Sequence, residues 1–331
     1  MTPVPIPPPG EPQPGTARTP GGRLGRVSRL ALPPSRYVDI GGPVHYLEWD
    51  GPPGRTFVLV HGLGGSHLQW IPVGPLLARH GRVLAVDLAG FGRTPRAGRS
   101  AKLTANRALL SRFLEEVVGA PAILAGNSMG GGIAVMQAAV EPASVEGLIL
   151  SSSVYPWAPG GMPSPVVVGG FALYRGRIGE WVARQRVHAG NASRIVRLGF
   201  RVGTVHPDAI PEDLIEAHVE LLEEQATDPD FATAFLEAAR SLLRLGQNAE
   251  RGRLLLDDVK CPVIAIHGRR DRLVPASLAW SATEAHPSWW VRILPDVGHI
   301  PQMETPERWM ADWGETEQLA ELSDTVGIDF L

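Results

Sequence analysis

Six short runs of this chain are apolar almost without interruption: "TFVLVHG" (56–62), "RVLAVDL" (82–88), "AILAG" (122–126), "VEGLILS" (145–151), "PVIAIHG" (262–268) and "WWVRIL" (289–294). Each has the length of a strand, and unbroken apolarity marks strands covered on both faces. Ahead of them, "RYVDI" and "VHYLEW" alternate apolar and polar positions around a Gly-Gly pair, the pattern of a hairpin. Helical patterns fall between the runs. One starts near Ser66, which can cap "HLQWIPVGPLLARH". A second starts at Thr104 and sets Leu109, Leu110, Phe113 and Val117 on one face, and a third follows Ser128. This alternation predicts an α/β protein with a doubly wound, mainly parallel sheet of about eight strands.

The alternation stops twice. Residues 1–34 are rich in Pro and Gly and show no hydrophobic period, so a disordered tail is expected there; its PxxP spacing, as from Pro5 to Pro8, follows from composition alone. Residues 155–246 read as a loop and then as helices such as "PEDLIEAHVELLEEQ", with Pro211 suited to a first turn. This segment is expected to form a helical cap inserted after strand 6, between core segments 35–154 and 247–331. Its charges are segregated. Seven arginines face Glu180 alone over 171–205, whereas 206–240 carries ten acids and only Arg240. Complementary helices packing on one another are the first reading, with an anion-binding face as the alternative. An insertion at this point lies over the carboxyl edge of the sheet, where ligands bind.

Composition narrows the function classes. A chain of 331 residues with 44% hydrophobic and 20% charged residues is that of a globular protein, and a net charge of −3 favours neither nucleic acid nor an anionic membrane as partner. Lys102 and Lys260 are the only lysines, so the arginine bias reads as genome composition. Cys261 is the only cysteine, which excludes an intrachain disulfide and a C-x-x-C site. The chain contains no apolar run of the ~18 residues that span a bilayer, and its N-terminus lacks the features of a signal peptide. The expectation is a cytoplasmic protein whose partner is a small molecule, with no cofactor or metal called for.

The candidate chemistry begins at "GNSMG" (126–130), which fits the G-x-S-x-G nucleophile elbow. The glycines allow a sharp strand-to-helix turn that pushes the Ser128 hydroxyl out above the sheet. The sequence "GNSMGGG" lacks the Walker lysine, and G-x-G-x-x-G does not occur, so phosphate cradling is not the reading. A serine nucleophile needs a base held by an acid. "RRDRLVP" offers Asp271 after one strand and "PDVGHIPQME" offers His299 after the last, giving the chain order Ser128, Asp271, His299 that this elbow class requires. Asp87 belongs to an earlier loop, Asp296 lies too close in sequence to His299, and His267 ends a buried strand. The alternative acid position after the sixth strand holds only "SSS" (151–153). Arg269, Arg270 and Arg272 flank Asp271, where they either depress its pKa or lie inert in solvent. In "HGLGGS" (61–66) the glycines let the backbone approach a reacting carbon. The Leu63 and Met129 N–H groups are the candidate oxyanion hole, and His61 is expected to hold the loop. Gly62, Gly64 and Trp157 are assigned to the substrate pocket; Trp181, Trp289 and Trp290 to core packing.

Over roughly residues 36–315 the chain resembles the α/β-hydrolase fold enzymes with a helical cap. The resemblance rests on "HGLGGS", "DLAGFGRT" (87–94), "GNSMGG" (126–131), "GRRDRLVP" (268–275) and "DVGHIPQMETPE" (296–307), in that order. Epoxide hydrolases and haloalkane dehalogenases of this fold place Asp at the elbow, so Ser128 argues against both. The resemblance therefore implies acyl transfer to water, with a carboxylesterase or small lipase as the first expectation. "GNSMGG" is also similar to the elbow of hydrolases that cleave a carbon–carbon bond in vinylogous diketones. Those carry a Gly-Pro-Gly oxyanion loop where this chain has Gly62-Leu63-Gly64-Gly65. A ligand-binding receptor on the same fold is the alternative from another class.

Overall fold

The computed structural model describes residues 32–155, 191–245 and 249–311. Eight strands form one sheet: β1 (Ser35–Asp39), β2 (Pro43–Trp49), β3 (Thr56–Val60), β4 (Arg82–Val86), β5 (Ala122–Asn127), β6 (Val145–Ser151), β7 (Val263–Gly268) and β8 (Trp289–Leu294). Their spatial order is β1-β2-β4-β3-β5-β6-β7-β8. The hairpin β1–β2 is antiparallel and joins β4 antiparallel. From β4 onward every pairing is parallel. This is the mainly parallel, doubly wound sheet that the apolar runs predict.

The continuous apolarity has a direct cause. Within β3, Val58 and Val60 face one side, where they pack with Leu110, Phe113 and Ile133 of the helices Leu103–Phe113 and Met129–Val140. Phe57 and Leu59 face the other side, against Trp70, Leu77 and Trp309. Both faces are covered, so neither strand face has a use for polar side chains. Leu109, Leu110 and Phe113 are buried and Val117 is half-buried, as their shared face predicts.

The stretch after Ser66 is not one helix. Ser66 accepts a hydrogen bond from Leu68 N–H at 3.2 Å and caps a 3₁₀ turn, His67–Trp70, after which a separate short helix runs from Gly74 to Leu77. Pro72 has no N–H to extend the first turn, and Gly74-Pro75 suits a new start.

Four described α-helices lie between β6 and β7: Ala192–Gly203, Glu212–Gln225, Phe231–Leu245 and Ala249–Asp257. The third packs on the loops after β3 and β4 and on the helix Met129–Val140 that follows β5. A Cβ on Gly64 would meet Phe235, one on Gly90 would meet Ala234, and one on Gly132 would meet Leu245. Residues 1–31 of the expected tail and 156–190 of the expected cap lie outside the described residues, together with Trp157 and Trp181. Among the described residues no helix is long and apolar enough to cross a membrane.

Candidate active site

Ser128 sits at the turn between β5 and the helix Met129–Val140, with φ 53° and ψ −116°. Non-glycine residues rarely adopt this conformation, and holding one there costs on the order of 1–3 kcal/mol. The surroundings fix it. Ser128 N–H donates to the Ser151 carbonyl at 3.1 Å, and the Ser128 carbonyl accepts from Gly132 N–H at 3.2 Å and Val154 N–H at 3.1 Å. The flanking glycines answer to close approach. A Cβ on Gly126 would lie 2.5 Å from the Gly131 Cα, and one on Gly130 would run into the Val60 carbonyl. A helix can leave β5 this abruptly only if both positions lack side chains.

Asp271 follows β7 and His299 follows β8, so two neighbouring parallel strands bring together residues far apart in sequence. His299 Nδ1 lies 2.7 Å from Asp271 Oδ2. The other carboxylate oxygen, Oδ1, accepts from the N–H groups of Leu273 at 2.8 Å and Val274 at 2.9 Å. A carboxylate only accepts, so the hydrogen of neutral His299 sits on Nδ1 and the lone pair of Nε2 is free to take a proton. Burial alone would push the Asp271 carboxyl up. The His299 and His267 rings beside it reverse that and hold it well below the usual carboxylate range. The neighbouring arginines are not the cause; Arg272 donates to the Arg201 carbonyl at 3.2 Å. No hydrogen bond joins Ser128 Oγ to His299. The two meet through Asn127, whose Nδ2 donates to the His299 carbonyl at 3.1 Å and to the Ser151 carbonyl at 2.9 Å. A nucleophile–base contact in a free enzyme is often long and tightens with substrate.

The loop after β3 is held from below. His61 is fully buried; its Nδ1 donates to the Gly62 carbonyl at 2.8 Å, and its Nε2 accepts from Leu88 N–H at 3.1 Å. Burial lowers its pKa, and both ring nitrogens are committed, so its part is to hold the loop. Gly62 N–H donates to Gln69 Oε1 at 3.0 Å, and Gly65 N–H closes a turn on the Gly62 carbonyl at 3.0 Å. Neither Leu63 N–H nor Met129 N–H donates to another described group of the chain. Gly62 lies against Asn127 and Ser128, and Gly64 against Phe235.

Two residues that the sequence does not mark, and His267, which reads there only as the end of a buried strand, complete this neighbourhood. Asn127 is the first. His267, fully buried, places Nε2 3.2 Å from Asp271 Oδ2 and 2.9 Å from the Val274 carbonyl, two acceptors that require Nε2 to carry its hydrogen. Glu304 is 4% exposed. Its Oε1 accepts from Val205 and His206 N–H and its Oε2 from Gly298 N–H, each at 2.8 Å. With His299 N–H on the Gly203 carbonyl at 2.6 Å, this fastens the histidine loop to the end of the helix Ala192–Gly203. Only position could have flagged them: one residue before Ser128, four before Asp271, five after His299. Asp296 instead accepts from the Arg308 guanidinium at 2.9 Å in solvent.

Asp87 forms a separate buried cluster with His45 and His67, the one group among the described residues with ligand atoms close enough for a metal ion. Asp87 Oδ2 meets His45 Nδ1 at 2.7 Å, His67 Nδ1 at 2.8 Å and Arg93 N–H at 2.8 Å, while Oδ1 takes His67 N–H at 2.7 Å. Burial would raise the Asp87 pKa, but the histidine rings outweigh it and depress it strongly. With four N–H donors on one carboxylate, the donor set suits an anion held by hydrogen bonds, not a cation.

Comparison with known proteins agrees with this geometry. Over 291 residues the chain is 28% identical to the dihydrolipoyllysine-residue acetyltransferase component of the acetoin cleaving system of Pseudomonas putida, covering 86% of this chain and 69% of that one. Over 287 residues it is 28% identical to the 2-hydroxy-6-oxo-6-(2'-aminophenyl)hexa-2,4-dienoic acid hydrolase of Metapseudomonas resinovorans, covering 82% and 87%. Among solved structures, Cfl2 of Burkholderia cenocepacia superposes with a TM-score of 0.71 at 23% identity, covering 89% of this chain and 96% of that one. A model of the alpha/beta hydrolase family matches residues 57–313, which span β3 to the last described helix. The chain belongs to the alpha/beta hydrolase family.

Proposed function

We propose that the chain is a cytoplasmic serine hydrolase that cleaves carboxylic esters of a small, apolar acyl group through an acyl-enzyme. One observation carries this reading: the buried Asp271 carboxylate fixes the His299 tautomer at 2.7 Å, beside a serine strained out of the sheet at φ 53°. In the forward step Ser128 Oγ bonds to the ester carbonyl carbon while its proton passes to His299 Nε2. The carbonyl oxygen becomes an oxyanion held by the free N–H groups of Leu63 and Met129; losing one such donor typically costs ~10²–10³ in turnover. The tetrahedral adduct then expels the alkoxide, which takes the proton from Nε2. A water gives its proton to Nε2 and attacks the acyl carbon, and the acid leaves as Ser128 regains its hydrogen.

A second reading has specific support. The "GNSMGG" elbow and the relative that hydrolyses a 2-hydroxy-6-oxo-dienoic acid both favour carbon–carbon cleavage next to a carbonyl. The Gly62-Leu63-Gly64-Gly65 loop favours the ester. The deciding assay is hydrolysis of p-nitrophenyl esters from acetate to decanoate, beside a vinylogous diketone, by wild type and Ser128→Ala. Rapid ester turnover lost by ~10⁶ in the variant supports the proposal. Ester turnover that survives the substitution overturns the assigned nucleophile, and diketone turnover without ester turnover overturns the ester class.

A further inference from the structure

A second concavity shares no residue with the elbow. It is a cavity of about 320 Å³ lined by Arg96, Lys102, Thr233, Glu237, Arg240 and Arg244. One wall is a single face of the helix Phe231–Leu245, because Thr233, Glu237, Arg240 and Arg244 follow one another at steps of four, three and four. The other wall is the loop that leads from β4 into the helix Leu103–Phe113 and carries Arg96 and Lys102.

The charge balance there is unlike that of the chain. Four cations face one carboxylate in a protein of net charge −3, and 206–240 is otherwise acidic. Lys102 is one of only two lysines, so this concentration is not merely the arginine bias. The single acid is also spent. Glu237 Oε1 accepts from Ser100 Oγ at 2.8 Å, and Oε2 accepts from Ala101 N–H at 2.9 Å and Arg96 Nη2 at 3.2 Å. Partial burial works against its ionisation, yet the Ala101 N–H, the Ser100 hydroxyl and the charges of Arg96 and Lys102 keep its carboxyl below the ordinary range. Glu237 therefore fixes the loop against the helix and leaves no unpaired oxygens to repel an anion. Lys102 and Arg244 are exposed at the rim, and neither forms an ion pair among the described residues.

We propose that this pocket binds a phosphate-class oxyanion, with Lys102 and Arg244 closing on it from opposite walls. Guanidinium groups take two oxygens of such an anion at once, and an ammonium takes the remaining charge. The volume leaves room for the organic remainder of a small phosphomonoester. This site does not depend on the hydrolytic reading of Ser128.

The test is calorimetric titration of the full chain with inorganic phosphate and, separately, with glycerol 3-phosphate, at a low and a high ionic strength set with sodium chloride. Wild type is expected to bind at least one of the two saturably, and more weakly as salt rises. Lys102→Ala/Arg244→Ala is expected to weaken that binding about tenfold, with an unchanged circular dichroism spectrum. Lys102→Gln, a smaller change at an exposed side chain, is expected to weaken it in the same direction. Binding of the free ion alone assigns the site to phosphate itself; preference for the ester assigns it to a phosphorylated small molecule. Absence of saturable binding of both probes, or equal affinity in wild type and both variants, overturns the proposal.

Discussion

Replacing Glu304 by glutamine changes one atom in the clamp that carries His299, and the contacts set the size of the effect. The carboxylate accepts three backbone N–H groups at 2.8 Å each, from Val205, His206 and Gly298. A glutamine of the same shape can keep its carbonyl oxygen toward Val205 and His206. Its amide nitrogen then faces the Gly298 N–H, a donor against a donor; the opposite orientation opposes two donors instead. At least one charge-assisted bond is lost either way, which removes about 1.5–3 kcal/mol. Gly298 immediately precedes His299, so this loosening reaches the imidazole directly. A displacement near 1 Å at a reacting group can cost ~10² in rate. Glu304→Gln is therefore expected to lower the urea midpoint at unchanged m and to reduce kcat by about 10²-fold, with a much smaller change in KM. Both are read from one preparation, by urea unfolding and by p-nitrophenyl ester hydrolysis. A variant with the wild-type midpoint and the wild-type kcat would show that the carboxylate does not hold the loop.

Other perturbations have equally definite outcomes. Ser128→Gly removes the strain at φ 53° and is expected to raise stability by about 1–3 kcal/mol while abolishing ester turnover; a less stable variant would refute the strain argument. Asp271→Asn can present an amide N–H to His299 Nδ1 and so move the imidazole hydrogen to Nε2, with an expected fall in kcat of about 10⁴ read in the same ester assay. The Asp87 carboxyl is depressed in the fold, so its contribution is fully present above the unfolded pKa near ~3.9 and is lost as pH falls below that value. Asp87→Asn should therefore lower stability at neutral pH and flatten its decline in acid, measured as the urea midpoint from pH 7 to pH 3; an equally steep decline would place the acid sensitivity elsewhere.

What could be read from the sequence divides along a physical line. Strands such as "TFVLVHG" are covered on both faces by Leu110 and Phe113 above and Trp70 and Trp309 below, and that condition imposes an unbroken apolar run visible in one dimension. Gly126 and Gly130 are likewise local, because each excludes a side chain that would strike backbone within the same turn or the adjacent strand. Order along the chain points to Asp271 and His299, and parallel topology puts the two at neighbouring strand ends. The helix expected after Ser66 broke because Pro72 acts within one turn, a signal present in the sequence but outweighed by the surrounding apolar content.

Asn127 and Glu304 are not legible for a different reason. Each acts through partners distant along the chain or through backbone groups, which leave no residue-type signature. Asn127 binds the carbonyls of Ser151 and His299, and Glu304 binds N–H groups at 205, 206 and 298. Any residue can supply a carbonyl or an N–H, so the partner side of such a bond is silent in the sequence. The reacting groups of a site are chosen by chemistry and announce themselves, whereas the groups that hold them in register are chosen by geometry. In this chain a single turn at Ser128 is fixed by backbone bonds from Ser151, Gly132 and Val154, while one asparagine beside it ties the turn to the histidine loop. The strained Ser128 turn and the His299 loop are thus held to one another through Asn127, which is neither of the two.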